Sequence, residues 1–426
     1  MTDPLQSAAP TAPPALDRWA ALVLLSLAMF GNYYVYDTIA PIADLLEKQL
    51  GFDDEHIGLL YSVYSWAAVL VLIAGGVLID RIGTQKSVML FAAVTFVAGV
   101  VTALSPRFQV MAGGRFLLGL GAEPLIVAVT TALAKWFKGK ELSFAFGLNL
   151  TIARLGSVAA DNSPTWAGRW FGNWQEPLVL GAALGGITLV GGVGYWILEA
   201  RVSRRYRLGA PASTDKLVLH DLFTFGKPYW YVVALCLAFY SAIFPFRSFA
   251  FKLFMDTRGV SREAAGQLNS FLPLAAMIAT PLFGILADKI GHRALLMAAG
   301  SAALVPVYLL IGYSDVPLVL PIGLMGVAFS LIPAVMWPSV AYLVPEQRLG
   351  TAYALMTLIQ QVGLAGMNWL IGKANDVALA SATNPAGYRP GLWIFTALGF
   401  VGLLFSWRLW RSERGHGLET ARARAT

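Results

Sequence analysis

Two charged residues lie inside long apolar stretches of the sequence. Arg154 occupies the centre of GLNLTIARLGSV (147–158), and Glu123 ends the stretch GRFLLGLGAE (114–123). A charge in such surroundings is costly unless it is paired or binds a ligand. The planar guanidinium of Arg154 suits a carboxylate, and Glu123 suits an ammonium group. The two residues therefore predict a site for a molecule that carries both groups, or else a permanent ion pair that only joins two helices.

Aromatic and amide side chains at similar depths are further candidates for lining such a site. Tyr61 and Tyr64 are three residues apart, so they share one face of a helix. Tyrosines of this kind line a ligand path or anchor a protein at a membrane surface, and the sequence leaves both readings open. The candidates in the second half of the chain suit ligand contacts or helix packing. The full set is Tyr33, Tyr36, Tyr61, Tyr64, Trp66, Trp337, Gln360, Gln361 and Asn368.

The composition indicates which elements must position these residues. Of the 426 residues, 57% are hydrophobic and 13% are charged, and the mean hydropathy is +0.64. Such a chain is an all-α integral membrane protein. Apolar stretches of about 20 residues, enough to cross the hydrocarbon core, recur about twelve times. These spans are predicted at 19–42, 57–79, 87–105, 111–134, 142–166, 177–198, 229–254, 265–287, 293–313, 317–343, 350–372 and 391–410.

Glu123 and Arg154 lie at similar depths in neighbouring spans. Each follows the start of its predicted span by about twelve residues, and spans 4 and 5 run antiparallel. At about 1.5 Å per residue, both side chains reach roughly the middle of the bilayer. We therefore expect them to meet there or to share a ligand.

The distribution of basic residues predicts the orientation in the membrane. Twenty of the 31 lysines and arginines fall in segments on the side of the termini, and eight fall on the opposite side. This excess predicts cytoplasmic termini. The net charge of +7 follows from the topology, so no nucleic-acid partner is expected.

One short motif occurs once in each half of the chain. GGVLIDRIGTQKS (75–87) follows the second span and GILADKIGHRALL (284–296) follows the eighth, 208 residues later. An acid, a base and a glycine suit a tight cytoplasmic turn, although two unrelated basic turns would look similar. The equal register predicts two pseudo-symmetric halves of six helices each. The repeated residues are Asp80, Arg81 and Gly83 in the first copy, and Asp288, Lys289 and Gly291 in the second.

The repeat also divides the chain into segments. An arginine-rich stretch crossed by Pro211 and Pro228 is predicted to link the two halves. The predicted segments are a disordered cytoplasmic N-terminus at 1–18, a first half at 19–198, a cytoplasmic linker at 199–228, a second half at 229–412 and a cytoplasmic tail at 413–426.

Asp37 and Arg247 are predicted to lie at equal depth near the outer ends of two equivalent spans. Asp37 follows Trp19 by eighteen residues, and Arg247 follows Tyr229 by the same number. We expect them to form an outer gate, unless Arg247 extends to lipid headgroups instead, as Lys252 is expected to do. Asp161 follows Arg154 by seven residues, so it is either a second acidic partner of Arg154 or an exposed loop residue. It is also a candidate for gating or coupling, with Asp37, Arg247 and Arg115.

Enzymatic and metal chemistry have no support in the sequence. The four histidines fall in predicted loops or tails, and no HExxH, CxxC or nucleophile-elbow arrangement occurs. The single cysteine, Cys236, lies within a span and has no partner for an intramolecular disulfide. No cofactor, metal or catalytic residue is expected.

Two six-span halves with GxxxDRxG-like turns, together with GRFLLGLGAE, resemble the major facilitator superfamily. Longer blocks resemble its lysosomal dipeptide uniporters. This resemblance implies transport of dipeptides by alternating access, with Arg154 and Glu123 near the peptide termini. It allows two roles for Arg115, proton coupling or structural hydrogen bonds near the substrate cavity. The blocks are LLYSVYSW (59–66), KWFKGKELSFAFGLNLTIARLGSV (135–158), FPF (244–246) and WPSVAYLVPEQRLGTAYALMTLIQQVGLA (337–365).

The sequence departs from the lysosomal proteins in ways that affect location and partners. Its predicted outer loops are short, no acidic dileucine signal precedes the first span, and its N-x-S/T match at Asn149 lies inside a span. These features predict a prokaryotic cytoplasmic membrane. A monomer is expected, and nothing in the sequence implies an accessory subunit. Uniport is the predicted mode, and proton-coupled symport of peptides or small organic anions is the alternative.

Overall fold

The computed structural model describes residues 13–137, 141–206, 208, 225–345 and 348–416, and these are helical apart from turns and short connections. Twelve helices in this part of the chain are long and apolar enough to cross a membrane. The predicted fold class is therefore confirmed. Spans 1 to 6 are Ala15–Tyr36, Asp54–Leu72, Arg81–Ala103, Phe108–Phe137, Leu142–Asp161 and Gln175–Val202. Spans 7 to 12 are Lys227–Arg258, Arg262–Ile290, Arg293–Tyr313, Val319–Leu343, Leu349–Val377 and Arg389–His416.

Polar residues and glycines set several helix ends. The Asp53 carboxylate accepts a hydrogen bond from the His56 backbone N–H at 2.9 Å and caps span 2, and Ser261 caps span 8 in the same way. Gly83, in the first turn of span 3, breaks the helical path from span 2 with φ 80° and ψ 161°, and Gly291 ends span 8 with φ 78° and ψ −17°. A residue with a side chain rarely adopts such a φ angle. Both glycines of the repeated motifs thus adopt a positive φ, although their ψ angles differ.

The remaining charged residues of these turns lie at the surface where they are described. Arg81 is exposed, and the Asp288 carboxylate accepts a hydrogen bond from Arg293 at 2.8 Å. The side chain of Asp80 lies outside the described part of the structure, as do residues 1–12, most of the predicted linker and residues 417–426. Lys289 is part of span 8.

Spans 1 and 5 end earlier than predicted. Span 1 stops at Tyr36, and the chain then turns at Asp37 before a short helix at Ala43–Leu50. Span 5 stops at Asp161 and is followed by the short helix Ser163–Trp166. The acidic side chains of Asp37 and Asp161 therefore lie directly at helix ends.

The two halves pack against each other at the face opposite the termini, which the charges predict to be extracytoplasmic and which is called here the predicted outer face. Three glycines allow backbone contact there, and we call them the glycine seam. A methyl group on Gly58 would lie 2.2 Å from the Asn368 carbonyl oxygen, and one on Gly372 would lie 2.2 Å from that of Asp54. A methyl group on Gly266 would lie 2.1 Å from the Asp161 carbonyl oxygen. These distances leave no room for a side chain at the three positions.

Candidate ligand-binding site between the halves

Arg154 carries a positive charge that no carboxylate neutralises within the described residues. Its guanidinium lies 5.6 Å from the centre of the Phe329 ring, and its buried Nη1 has no hydrogen-bond partner. The permanent ion pair with Glu123 that the sequence left open is not formed, and Asp161 is not its partner either. Arg154 therefore retains hydrogen-bonding capacity for a ligand.

Glu123 joins the two halves through neutral partners. Its Oε1 accepts hydrogen bonds from the Tyr64 hydroxyl at 2.8 Å and from Gln361 Nε2 at 2.9 Å. Tyr64 belongs to span 2 of the first half, and Gln361 belongs to span 11 of the second. Neither partner is charged, so no cation is paired with this carboxylate among the described residues.

Tyr33 lies near both charges. Its hydroxyl interacts electrostatically with Arg154 and with Glu123, and the Tyr240 hydroxyl of span 7 interacts with Arg154. These four side chains belong to spans 1, 4 and 5 of the first half and to span 7 of the second. The space between them is the candidate site, and the sharing of one ligand by the two charges stays a prediction.

Arg115 is buried among three of the tyrosines that were predicted to line the site. Its guanidinium carbon lies 5.2, 4.9 and 5.6 Å from the rings of Tyr36, Tyr61 and Tyr64. It also donates a hydrogen bond to the Tyr36 carbonyl at 3.0 Å, where the last carbonyls of span 1 lack helical partners. Of the two roles that the sequence left open for Arg115, this geometry favours the structural one.

Trp66 does not accompany the other aromatic residues of span 2. It lies about 200° around the helix from Tyr64, at about 100° per residue, and its side chain is 49% exposed. The structure therefore corrects its place among the candidates: Trp66 faces away from Glu123, on the exposed side of span 2.

An aromatic wall in the second half connects Arg154 to Trp337. Phe329, which lies under Arg154, contacts Phe244 edge to face with ring centres 6.0 Å apart. Phe244 stacks on Tyr240 at 5.6 Å, and the Tyr240 hydroxyl accepts a hydrogen bond from Trp337 Nε1 at 2.9 Å. Sequence reasoning proposed Trp337 and missed the other three residues. The FPF block, which contains Phe244, was the available signal.

Gln360 and Asn368 of span 11 contact neither Arg154 nor Glu123 in the described hydrogen bonds. The Gln360 side-chain oxygen accepts a weak hydrogen bond from Cys236 Sγ at 3.8 Å. Asn368 donates to the Leu364 carbonyl of its own helix at 2.9 Å, and its backbone faces Gly58 across the glycine seam. Asn368 is thus a packing residue, and Gln361 is the amide that reaches Glu123.

Arg247 forms a buried charge cluster that links the halves. Its Nη1 lies 3.6 Å from Asp37 Oδ1, and its Nη2 donates to Asp161 Oδ2 at 2.8 Å. Asn269 of span 8 donates to the other Asp161 oxygen at 2.7 Å. The structure thus brings Asp37 and Arg247 together. Asp161 is 0% exposed and pairs with Arg247, so it is neither a partner of Arg154 nor an exposed loop residue, and it lies with the other gate candidates Asp37 and Arg247.

A second ionic cluster holds the halves together at the predicted outer face. Lys252 Nζ lies 2.6 Å from Asp54 Oδ1 and 3.0 Å from Glu47 Oε2, and the lysine is only 4% exposed. The expectation that Lys252 extends to lipid headgroups was therefore wrong. The Asp376 carboxylate of span 11 accepts hydrogen bonds from the backbone N–H groups of Asp54 and Glu55, at 3.0 and 2.6 Å. It thereby caps span 2 from the opposite half.

Comparisons with known proteins agree with this architecture. The sequence profile of the Major Facilitator Superfamily matches residues 25–366 and 248–425. The lysosomal dipeptide transporter MFSD1 of Homo sapiens is 32% identical over 394 residues, which cover 87% of this chain and 84% of that protein. The same transporter of Danio rerio is 30% identical over 85% of this chain and 81% of its own.

A solved structure supports the fold. The crystal structure of a bacterial homologue of the human lysosomal transporter Spinster matches with a TM-score of 0.75 at 17% sequence identity, and the match covers 94% of this chain and 98% of that one. Together with the sequence matches and the twelve candidate spans, this shows that the chain is a multi-pass membrane protein of the major facilitator superfamily and a secondary transporter.

Proposed function

We propose that this transporter moves dipeptides across the membrane as a uniporter. The observation that carries the proposal is the unpaired guanidinium of Arg154, which shares one space between the halves with the Glu123 carboxylate. A dipeptide has a carboxylate that suits Arg154 and an ammonium group that suits Glu123. The dipeptide transport named in the 32% identical human relative supports the same substrate class.

Alternating access follows from the contacts between the halves. In this structure the glycine seam and the Lys252 cluster join the halves at the predicted outer face, so a bound peptide is released toward the face that bears the termini. Opening the predicted outer face separates Arg247 from Asp37 and Asp161, which makes this cluster an outer gate. The proposed location is a cytoplasmic membrane with both termini inside, and the proposed unit is a monomer without an accessory subunit.

Ligand-induced thermal stabilisation tests the substrate class. Purified wild-type protein is heated with dialanine, with alanine or with succinate, because a ligand that binds only the folded protein raises the melting temperature. We expect dialanine to stabilise the protein most. Stabilisation by succinate alone would instead identify an organic-anion transporter, and the dipeptide proposal would be abandoned. Flux into liposomes at equal and unequal pH then separates uniport from proton symport.

Replacing Gly372 with leucine is expected to hold the predicted outer face open. The new side chain has no room against the Asp54 carbonyl, and overpacking of this kind costs about 1–3 kcal/mol, or roughly tenfold in the population of the closed state. Ser62, whose hydroxyl donates to the Ala365 carbonyl at 2.6 Å across the same interface, is replaced with cysteine as a reporter. Maleimide labelling of this cysteine in a Cys236→Ser background should increase by about tenfold.

Gly323→Leu is the matched control for the seam, because a methyl group on Gly323 meets no atom within 4 Å. Labelling that is equal in the two leucine variants would show that the seam does not control closure of the predicted outer face.

A further inference from the structure

Gln361 of span 11 contacts Glu123 of the proposed site from the opposite half. The residue is 3% exposed, its Nε2 donates to Glu123 at 2.9 Å, and its buried Oε1 has no hydrogen-bond partner among the described residues. The orientation of the amide is fixed by chemistry, since a carboxylate oxygen accepts hydrogen bonds and the amide nitrogen donates them. A buried carbonyl oxygen without a partner is rare in folded proteins. This oxygen is therefore available to a ligand that donates a hydrogen bond.

We propose that Gln361 Oε1 and Glu123 together bind the ammonium group of the substrate, so that the amino end of the peptide bridges the two halves. The inference rests on the proposed function. It adds a second binding residue from the opposite half and assigns the amino end of the peptide the task of joining the halves.

The distances allow one nitrogen to contact both residues. The oxygen and nitrogen of an amide are about 2.2 Å apart, given its bond lengths. Gln361 Oε1 is therefore at most about 5 Å from the Glu123 oxygen that its Nε2 contacts. Two hydrogen bonds of about 2.8 Å span that separation. An ammonium group has three N–H donors, and the Tyr33 hydroxyl, which lies within Coulomb range of Glu123, is suited to accept the third.

The bridge has a consequence for the transport cycle. Glu123 lies on span 4 and Gln361 on span 11, so the empty protein has one hydrogen bond between these residues, and a bound ammonium adds two contacts that cross the same gap. A peptide with a blocked amino group lacks the charge and two of the donors. Such a peptide is expected to bind at Arg154 and to leave the halves without the added link.

Paired peptides measured on paired variants test this inference. The ligands are dialanine and N-acetyl-dialanine, and the variants are Gln361→Met and Gln267→Met, in which the same change is made at an exposed position of span 8. Wild-type protein and Gln267→Met should bind dialanine with a much lower dissociation constant than N-acetyl-dialanine. In Gln361→Met this preference should fall by about tenfold, because one acceptor is lost, while the affinity for the acetylated peptide stays within about twofold.

Each outcome has a distinct meaning. If Gln361→Met weakens both peptides equally, Gln361 only positions Glu123, and the inference is overturned. If the wild type binds neither peptide, the proposed function itself fails. Should the methionine variant not fold, Gln361→Asn, which withdraws the amide by one methylene group, is required to show the same tenfold loss of preference.

Discussion

Replacing Arg154 with methionine is expected to abolish dipeptide binding and leave the fold intact. The loss of a charged hydrogen-bonding group from a bound carboxylate costs about 2–5 kcal/mol, so affinity should fall by about 30-fold or more. Stability should not fall, because no described carboxylate depends on Arg154 and its Nη1 is already buried without a partner. The long, apolar side chain of methionine can pack against Phe329 where the arginine side chain did.

Isothermal binding of dialanine and thermal unfolding of the empty protein measure the two effects separately. Arg107→Met is the control, because Arg107 is exposed outside the spans. Arg154→Lys, which keeps the charge and removes the planar fork, should bind with intermediate affinity. Dialanine affinity that is unchanged in Arg154→Met would remove the carboxylate site from the proposal.

Replacing Arg247 with methionine is expected to destabilise the empty protein by about 3–5 kcal/mol, whereas Arg154→Met should leave its stability unchanged. The substitution leaves the buried carboxylates of Asp37 and Asp161 without the cation that compensates their desolvation. The effect is measured as a lower melting temperature in detergent, with Arg154→Met as the matched arginine that lacks a carboxylate partner.

A second substitution identifies the cause of this loss. In an Arg247→Met background, Asp161→Asn removes one unpaired charge and keeps the side-chain oxygen that Asn269 contacts. We expect it to restore part of the lost stability, and the same change in the wild type to reduce stability. Additive losses in the double variant would show that the two residues do not interact, contrary to the structure.

Helix positions could be predicted from local sequence. Span 9 was predicted at 293–313 and is observed at Arg293–Tyr313, because a run of apolar residues of bilayer length is a local property. The site shared by Glu123 and Arg154 comes from residue counts along two antiparallel helices and stays a prediction. Such reasoning fails where a polar turn interrupts an apolar run, as at the end of span 1.

Partners distant in the sequence could not be predicted from local pattern. Asp161 and Arg247 are 86 residues apart, and Lys252 and Asp54 are 198 apart. Their pairing depends on which faces of spans 5, 7 and 2 meet once the halves close. A lysine near a helix end suits lipid headgroups as well as a buried carboxylate, so only the packed structure distinguishes the two.

The opposite charges of Glu123 and Arg154 determine how the proposed uniporter responds to membrane voltage. A potential of 100 mV changes the energy of one elementary charge that crosses the whole membrane by about 2.3 kcal/mol. One positive and one negative side chain share the central space, and a zwitterionic peptide adds no net charge to them. The loaded and the empty transporter therefore move the same net charge when the two halves change from one access state to the other. Net peptide movement is then electroneutral, and its direction follows the concentration gradient alone.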